Sequence, residues 1–406
     1  MAMADDRRAK FRDVMSRLDP TIDPERAVRD NLYAVPPNGI ARRLSARLDI
    51  DPGSTHLVVG GTGSGKTTEL VQASKMLEET GDIKCVRIDV PAVQQLDQLT
   101  KGVLLALAGV ATSTLFEETL LNIKPKRAIR QICQLSNGHW FEPWDGEDHD
   151  EPDMVWAKGI LSSPVTDSKI KDLAESVTEL FATFPQHLVF LFDGLDRLSD
   201  IDKFTQVVFD DASLLKQCGA GVVVVGPQKV RPSIHAEVVA QFDEFHLHGA
   251  SSLQRDSDRS FLVDILRKRV SDSMLPKAVA STLIDVSGGL VRDLISLARA
   301  SVEEAYACGD DTVSISHVNI AAERFGKGLL LGATSLMGAR LREMLPRSAG
   351  SRQDSAPKAA PAFALSSDID VALLLARLII EIPGTPVRFI PHPVVSMVLA
   401  GTQCKT

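Results

Sequence analysis

The stretch Gly60-Gly61-Thr62-Gly63-Ser64-Gly65-Lys66-Thr67-Thr68 decides the fold class of this 406-residue chain. It fits the pattern G-x-x-x-x-G-K-[ST], follows the apolar run Leu57–Val59 and precedes the helix-like stretch Thr67–Glu79. Glycines let successive backbone N–H groups point inward, and a helix N-terminus adds a partial positive charge. The stretch therefore predicts a loop, between a strand and a helix, whose residues together bind phosphate groups.

Two side chains of this loop have predicted roles of their own. Lys66 would reach the β- and γ-phosphates of a nucleoside triphosphate, and the Thr67 hydroxyl would be a ligand of Mg²⁺. The magnesium shell also needs a carboxylate at the end of a neighbouring buried strand. The apolar run His187–Phe192 supplies one, because Asp193 follows it directly. We therefore predict that Asp193 orients Mg²⁺ through water.

A second acidic residue, Asp196, follows in the pattern Asp-Gly-Leu-Asp. It is the candidate for polarising the water that attacks the terminal phosphate. An alternative stays open at this point, because Asp is a good helix cap. In that case Asp196 would cap the following turn or pair with Arg197.

A third predicted element is the stretch Ser-Gly-Gly-Leu-Val-Arg-Asp-Leu at residues 287–294. Its glycines would end one helix, and Arg292 would lie in the first turn of the next. A cation is mildly unfavourable at a helix N-terminus, so Arg292 calls for a compensating anion. Bound γ-phosphate is one such anion, and Asp293 or another nearby carboxylate is the alternative.

Short apolar runs alternate with helix-like stretches between residues 51 and 250. Besides the two runs above, they are Lys84–Val90, Gly221–Val225 and Glu244–His248. Buried strands that alternate with helices are typical of a mostly parallel sheet covered on both faces. The sequence therefore predicts an α/β fold, with a three-layer P-loop NTPase core.

The rest of the chain divides by composition. Residues 251–327 show helical periodicity and no strand-like run, whereas 346–361 are small, polar and interrupted by proline. Helices are also predicted over Leu96–Leu121 and Asp368–Glu381. The predicted domains are an N-terminal helical arm (1–50), the P-loop core (51–250) with an insertion near 122–170, a helical lid (251–330), a linker (331–362) and a small winged-helix-like segment (363–406).

Composition excludes several classes of protein. The 45 basic and 53 acidic side chains give a net charge of −8, which argues against coating nucleic acid by charge alone but leaves a local basic patch open. The five cysteines form no C-x-x-C pair, as expected of free thiols in a reducing compartment. We expect a cytoplasmic protein, because no secretory signal and no apolar run of membrane-spanning length is apparent.

Taken in order, the three motifs resemble those of bacterial P-loop ATPases at the border of the AAA+ and STAND classes. The stretches that carry the resemblance are 60–70, 193–198 and 287–294, and the initiator-like ATPases with a helical lid are the nearest AAA+ relatives. The resemblance implies ATP and Mg²⁺ as cofactors, ATP hydrolysis coupled to lid movement, and self-assembly or assembly with a protein partner. It also implies a signalling or antiviral-defence switch.

The chain departs from the AAA+ pattern at Gly194, where a typical member has the glutamate that acts as base. Either Asp196 substitutes, or hydrolysis is slow and the protein is a nucleotide-held switch. After the fourth strand, Gln228 is the neutral polar candidate for a sensor of the phosphate.

The sequence leaves two other functions open besides the ATPase switch. A nucleotide-dependent module that loads DNA or clusters partners, with little ATPase activity, is suggested by the winged-helix-like tail. A P-loop kinase is the less favoured alternative, because the region after the sheet is a helical domain instead of a mobile acceptor lid.

Three further features of the sequence carry predictions of their own. The acidic segment 142–153 lies among tryptophans and is expected to be a solvated loop or, alternatively, a partner-docking one. His246 and His248 alternate on one strand and are expected to be structural for want of a third ligand. Tyr33 and Val35 could stack on an adenine base, although core packing is favoured.

Overall fold

The computed structural model describes residues 2–118, 126–136, 166–198, 200–228, 241–345, 363, 367–382 and 387–403. The chain forms two compact units. The sheet unit comprises residues 40–60 and 69–247, and the helical unit comprises residues 1–39, 61–68 and 248–406. The acidic segment 142–153 and the stretch 346–361 lie outside the described residues.

The sheet unit is built on five parallel strands in the order β2-β3-β4-β1-β5. The five apolar runs predicted as strands all form them. The strands are β1 (Thr55–Val59), β2 (Ile83–Asp89), β3 (His187–Asp193), β4 (Gly221–Gly226) and β5 (Glu244–Leu247).

Both faces of this sheet are buried, which is why its strands read as continuous apolar runs. Successive residues of a strand point to opposite faces. In β3, Phe190 and Phe192 join one core cluster, whereas Val189 and Leu191 join the other. The helices that pack on the two faces include α3 (Ala41–Ile50), α4 (Lys66–Glu78), α6 (Val103–Glu118), α7 (Lys126–Leu135), α8 (Asp167–Ala182) and α9 (Ile201–Gln217).

The prediction of one helix over Leu96–Leu121 is wrong at its start. Residues Leu96–Gln98 form a 3-10 turn, which follows the short helix α5 (Val90–Val93), and α6 begins only at Val103. Gly102 has a φ of 91°, a left-handed conformation that interrupts the helix. The buried Asp211 then accepts hydrogen bonds from the N–H groups of Gly102 (2.6 Å) and Leu104 (2.8 Å) and so fixes the first turn of α6.

The helical unit gathers both ends of the chain around one apolar core. Phe11 and Val14 from the N-terminal helix and Val394 from the last helix belong to the same buried cluster as the helices after residue 250. Its helices are α1 (Ala2–Arg17), α2 (Pro24–Arg29), α10 (Asp256–Arg267), α11 (Lys277–Ser287), α12 (Val291–Cys308), α13 (Ile315–Leu330), α14 (Ser335–Met344), α15 (Asp368–Leu375) and α16 (Pro393–Gln403).

The C-terminal segment differs from the prediction of one helix over Asp368–Glu381. Helix α15 ends at Leu375, and Ile379–Ile382 is instead a strand, β6, that pairs antiparallel with β7 (Arg388–Pro391). Arg377 has a φ of 60°, a conformation that no residue inside a right-handed helix adopts. The apolar run of residues 378–382 is buried because it forms a hairpin strand, which the periodicity alone does not reveal.

The sheet order and the helices on both faces confirm the predicted α/β fold with a P-loop NTPase core followed by a helical domain. The predicted domain boundaries stay a prediction. Among the described residues, no helix combines the length and the apolar character needed to cross a membrane.

Candidate functional site: the phosphate loop and its neighbours

The phosphate loop joins β1 to α4, and its backbone has the shape that the motif requires. Gly63 and Gly65 have φ angles of 86° and 102°, which a residue with a Cβ adopts only under strain. Helix α4 begins at Lys66, whose buried Nζ donates a hydrogen bond of 3.1 Å to the carbonyl oxygen of Gly61. The lysine ammonium is therefore held inside the loop whose backbone would surround a phosphate.

Two further atoms of the loop fit an anionic, hydrogen-bonding ligand. The Ser64 hydroxyl is buried and has no hydrogen-bond partner among the described residues. Thr67 lies in the first turn of α4 and is half-buried. A phosphate oxygen could supply the partner that the Ser64 hydroxyl lacks, and the Thr67 hydroxyl is of the type that ligates Mg²⁺. The loop residues therefore fit the predicted nucleotide and metal.

His248 supports the loop from behind. Its Nε2 donates a hydrogen bond of 3.0 Å to the carbonyl oxygen of Ser64, which fixes the proton on that nitrogen. Burial, followed by the charge of Lys66, lowers the pKa of His248 to about 4. The ring is thus a neutral donor to the loop backbone, a role that the sequence prediction of a structural histidine did not specify.

Arg292 contacts the phosphate loop. The loop residues 61–68 and Arg292 both belong to the helical unit. The backbone N–H of Arg292 donates a hydrogen bond of 3.1 Å to the carbonyl oxygen of Gly63. A Cβ on Gly63 would lie 3.0 Å from the Cβ of Arg292. The Arg292 side chain is exposed, and its guanidinium makes no ion pair or hydrogen bond with the part of the chain that the structure describes.

The alternative partner for Arg292 is engaged elsewhere. Asp293 is fully buried, forms an ion pair with Nη2 of Arg377 and accepts a hydrogen bond of 3.1 Å from Nε2 of His392. Burial, followed by the charge of Arg292, lowers the pKa of Arg377. Two guanidinium groups therefore lie within electrostatic range of each other, and Asp293 balances one of them.

Within the sheet unit, the strand ends place the predicted acid at the edge from which the loop leaves. Gly60 follows β1, Asp193 ends β3, and only β4 lies between these strands. Two strand spacings amount to about 10 Å. Asp193 is buried and accepts a hydrogen bond of 2.8 Å from the N–H of Gly194. Its register neighbour on β2 is Asp89, so two carboxyl groups end adjacent strands.

The absence of a glutamate after Asp193 has a steric reason. Gly194 has a φ of 83°, and a Cβ there would lie 2.4 Å from Cδ of Pro91 and 3.0 Å from Oδ1 of Asp89. No side chain fits at this position without moving the proline that follows β2. The departure from the AAA+ pattern is therefore built into the backbone of this chain.

Asp196 lies in the 3-10 turn Leu195–Arg197 and is half-buried. The helix that follows, α9, is capped by another residue. The cap of α9 is Asp200, whose Oδ1 accepts a hydrogen bond of 3.0 Å from the N–H of Lys203. The role of Asp196 as the group that polarises the attacking water stays a prediction.

The predicted base-stacking pair lies in a segment held by the helical unit. Val35 is 77% exposed, so it does not pack in a core, and Tyr33 is half-buried. Buried Arg269 donates a hydrogen bond of 2.8 Å to the carbonyl oxygen of Leu32 and fixes the segment just before them. A fixed backbone with an exposed apolar side chain suits contact with a flat ring.

Sequence reasoning missed Asp89 and Arg377, and it did not specify what His248 contacts. Asp89 lies inside the predicted run Lys84–Val90, and its position at the end of β2 became clear only from the observed strand end. Nothing local distinguishes His248 from a core histidine. Arg377 interrupts an apolar run, but this pattern alone does not indicate an ion pair with Asp293.

No protein-family model and no curated protein sequence matches this chain. Solved structures similar to it include the Aeropyrum pernix ORC2 protein in ADPNP-ADP complexes, which is 14% identical, with 91% of this chain and 96% of that chain covered at a TM-score of 0.44. Pyrobaculum aerophilum CDC6P is 12% identical over 96% and 97% of the two chains, with a TM-score of 0.45. Drosophila ORC bound to DNA is 13% identical over 96% and 91%, with a TM-score of 0.47. The assignment of the fold rests on the strand order and the glycine-rich loop, since these scores are below 0.5.

Proposed function

We propose that this chain binds ATP with Mg²⁺ at the loop 60–68 and works as a nucleotide-dependent switch of the AAA+ type. One observation carries the proposal. The first turn of α12 is tied to the loop by the hydrogen bond from Arg292 to Gly63, and the Arg292 side chain is left available there. The terminal phosphate of bound ATP would change what the Arg292 side chain contacts, and α12 would move in response.

The residues have distinct proposed roles. The loop N–H groups and the N-terminus of α4 bind the phosphates, and Lys66 exchanges its hydrogen bond with Gly61 for one with phosphate oxygens. Thr67 and Asp193 hold Mg²⁺, which, when bound, neutralises charge on the β- and γ-phosphates. Arg292 neutralises the remaining charge on the terminal phosphate.

Hydrolysis is proposed to be slow. The position after Asp193 cannot carry a carboxylate, because Gly194 is enclosed by Pro91. Asp196 is then the group that polarises the attacking water, from a turn instead of a strand end. A slow enzyme remains in its ATP form long enough for that form to act as a signal.

The test compares Lys66→Ala with Lys75→Ala, an exposed lysine of the same helix. ATP affinity is measured by calorimetry, and phosphate release is measured without an added acceptor. We expect Lys66→Ala to weaken ATP binding at least tenfold and to abolish release, and Lys75→Ala to change neither. Equal ATP affinity in both variants would overturn the proposal, and release that depends on an added acceptor would favour a kinase.

A more specific proposal is that ATP controls the assembly of this chain with further copies of itself or with a protein partner. The bacterial signalling or defence switches that the motifs resemble are the model for this proposal. Its test is the particle mass by light scattering with ATP, with ADP and without nucleotide. We expect a larger particle with ATP. The Arg292→Ala variant should lose this response, whereas Arg324→Ala, an exposed arginine of α13, should keep it. One mass under all three conditions would contradict the assembly step.

A further inference from the structure

We propose that His56, Glu244 and His246 form a binding site for a divalent cation of the zinc type, separate from the nucleotide site. The three residues lie on the adjacent strands β1 and β5 of the sheet unit. In the parallel register His56 is opposite Glu244, and His246 follows two residues later, so all three side chains are on one face.

The three donor atoms converge on one point. Nδ1 of His56 and Nε2 of His246 are 3.1 Å apart, and Oε2 of Glu244 is 4.0 Å from each nitrogen. Two ligands of a tetrahedral zinc ion are about 3.3 Å apart, given bonds near 2 Å. The nitrogen pair already has this spacing, and the half-exposed Glu244 needs to move its carboxylate by less than an ångström.

The protonation pattern leaves the inward nitrogen of His56 able to bind a metal. The Ser54 hydroxyl donates to the carbonyl oxygen of Asp51 at 2.7 Å, so it accepts at its 2.9 Å contact with Nε2 of His56. The proton of the neutral ring is therefore on Nε2, and Nδ1 carries the lone pair. A hydrogen bond from the far nitrogen that fixes the ring is the usual support of a metal-binding histidine.

The second imidazole can transfer its proton to its other ring nitrogen when a cation binds. Nδ1 of His246 is buried and has no hydrogen-bond partner among the described residues. In the hydrogen bond to His56, Nε2 of His246 is the donor, because Nδ1 of His56 carries the lone pair. A bound cation would shift this proton to Nδ1, and Nε2 would then offer its lone pair. Without a cation, the same atoms form an imidazole–imidazole hydrogen bond, which is the state that the structure shows.

The surroundings favour a borderline cation over a hard one. His56 and His246 are buried, and Glu244 is 30% exposed, so the carboxylate is the open side of the site. The neighbouring charges are Arg43 and Arg47 of α3 and the Asp243–Lys216 ion pair. Arg47 is paired with Asp51, and Glu244 supplies the negative charge at the site. Imidazole nitrogens select Zn²⁺ or Co²⁺ over Mg²⁺.

The site is distinct from the phosphate loop. His56 is the second residue of β1, and Gly60 lies four residues further along the chain, beyond the other end of the strand. At about 3.3 Å per residue the separation is about 13 Å. A cation here therefore does not replace the Mg²⁺ of the nucleotide site, and its effect would be to join β1 and β5 through their side chains.

The experiment titrates the full chain, stripped with a chelator, with Co²⁺ and follows the visible d–d absorption, then displaces Co²⁺ with Zn²⁺. We expect one ion per chain and an absorption intensity typical of four-coordinate Co²⁺. Glu244→Gln, at a half-exposed position that does not threaten folding, should weaken binding at least tenfold. His246→Gln should abolish the four-coordinate spectrum, and Ser54→Ala should weaken binding about tenfold.

The control is His187→Gln, which removes an exposed histidine from the same sheet and should leave the titration unchanged. Absence of stoichiometric binding in the unchanged chain would overturn the proposal. So would binding that Glu244→Gln and His246→Gln leave intact, because the ion would then be held elsewhere. Lys66→Ala should bind Co²⁺ normally, so that failure of the nucleotide proposal and failure of this one are distinguishable.

Discussion

The N–H of Arg292 donates a hydrogen bond of 3.1 Å to the carbonyl oxygen of Gly63, and the two residues approach so closely that a Cβ on Gly63 would lie 3.0 Å from the Cβ of Arg292. The first turn of α12 thus rests directly on the phosphate loop. Because this contact uses backbone atoms, the Arg292 side chain remains free to respond to a ligand. The same closeness makes the loop sensitive to any added atom at Gly63.

We predict that Gly63→Ala weakens ATP binding about tenfold or more. The substitution adds a Cβ at a φ of 86° and presses it against Arg292. Gly81→Ala is the matched control, since its φ is 89° and no atom lies within 4 Å of the added Cβ. Both variants should lose about 1 kcal/mol of stability from the backbone alone. Calorimetry should show normal ATP affinity for Gly81→Ala, and equal affinities in the two variants would refute a role for the contact.

We predict that placing the glutamate of the AAA+ pattern at Gly194 gives no faster enzyme. In Gly194→Glu the new Cβ would meet Cδ of Pro91 at 2.4 Å, and β2 and β3 would have to shift. The expected loss in the free energy of unfolding is about 3 kcal/mol. Gly219→Ala, at a φ of 89° with open surroundings, should lose about 1 kcal/mol. Denaturant unfolding and steady-state phosphate release measure the two effects, and a faster, stable Gly194→Glu enzyme would contradict the steric account.

We predict that Asp196→Asn lowers the rate of phosphate release about 100-fold without weakening ATP binding, as expected for loss of a group that assists proton transfer. The comparison is Asp202→Asn, an exposed acid in the first turn of α9. Release rates under saturating ATP and affinities by calorimetry separate the two properties. An unchanged release rate would remove Asp196 from the mechanism.

We predict that Asp211→Asn destabilises the sheet unit by about 1–3 kcal/mol. Burial raises the pKa of Asp211 to about 7, while the N–H groups of Gly102 and Leu104 oppose the rise by donating to both oxygens. An amide turns one of its N–H donors toward a backbone donor and leaves that backbone group unpaired. Asp210→Asn removes only an exposed pair with Lys101 and should cost less than 1 kcal/mol. Equal losses in denaturant unfolding would argue against the cap.

We predict that His392 makes the helical unit less stable in mild acid. Burial, followed by the charge of Arg377, lowers the pKa of His392 to about 3, against 6.5 in the unfolded chain. The folded ring stays neutral, since its Nδ1 accepts the N–H of Val394. Because only the unfolded chain takes up the proton, the contribution to stability is complete above pH 6.5 and is lost as the pH falls toward 3.

The measurement is the free energy of unfolding of the unchanged chain and of His392→Gln, followed from pH 8 to pH 5. The difference between the two should change by about 2 kcal/mol, with the unchanged chain losing more in acid. His187→Gln, at an exposed histidine, should run parallel to the unchanged chain. Parallel curves for His392→Gln as well would show that this ring is not the titrating group.

The sequence by itself determined the phosphate loop, the five strands and most helices after residue 250. These features depend on local chemistry. A glycine-rich loop needs its own φ angles, a strand buried on both faces must be apolar along its length, and a helix must repeat its apolar face. Asp193 could be assigned to the end of β3 for the same reason, because the apolar run stops there.

Only the tertiary structure decided which residues meet across the chain. The start of α6 depends on Asp211, more than a hundred residues away, and the end of α15 depends on the left-handed Arg377 and on a hairpin partner after it. The pairing of β1 with β5, which brings His56 to Glu244 and His246, follows from strand order. Local periodicity reports which face a residue occupies, whereas its neighbours on that face are set by packing between distant segments.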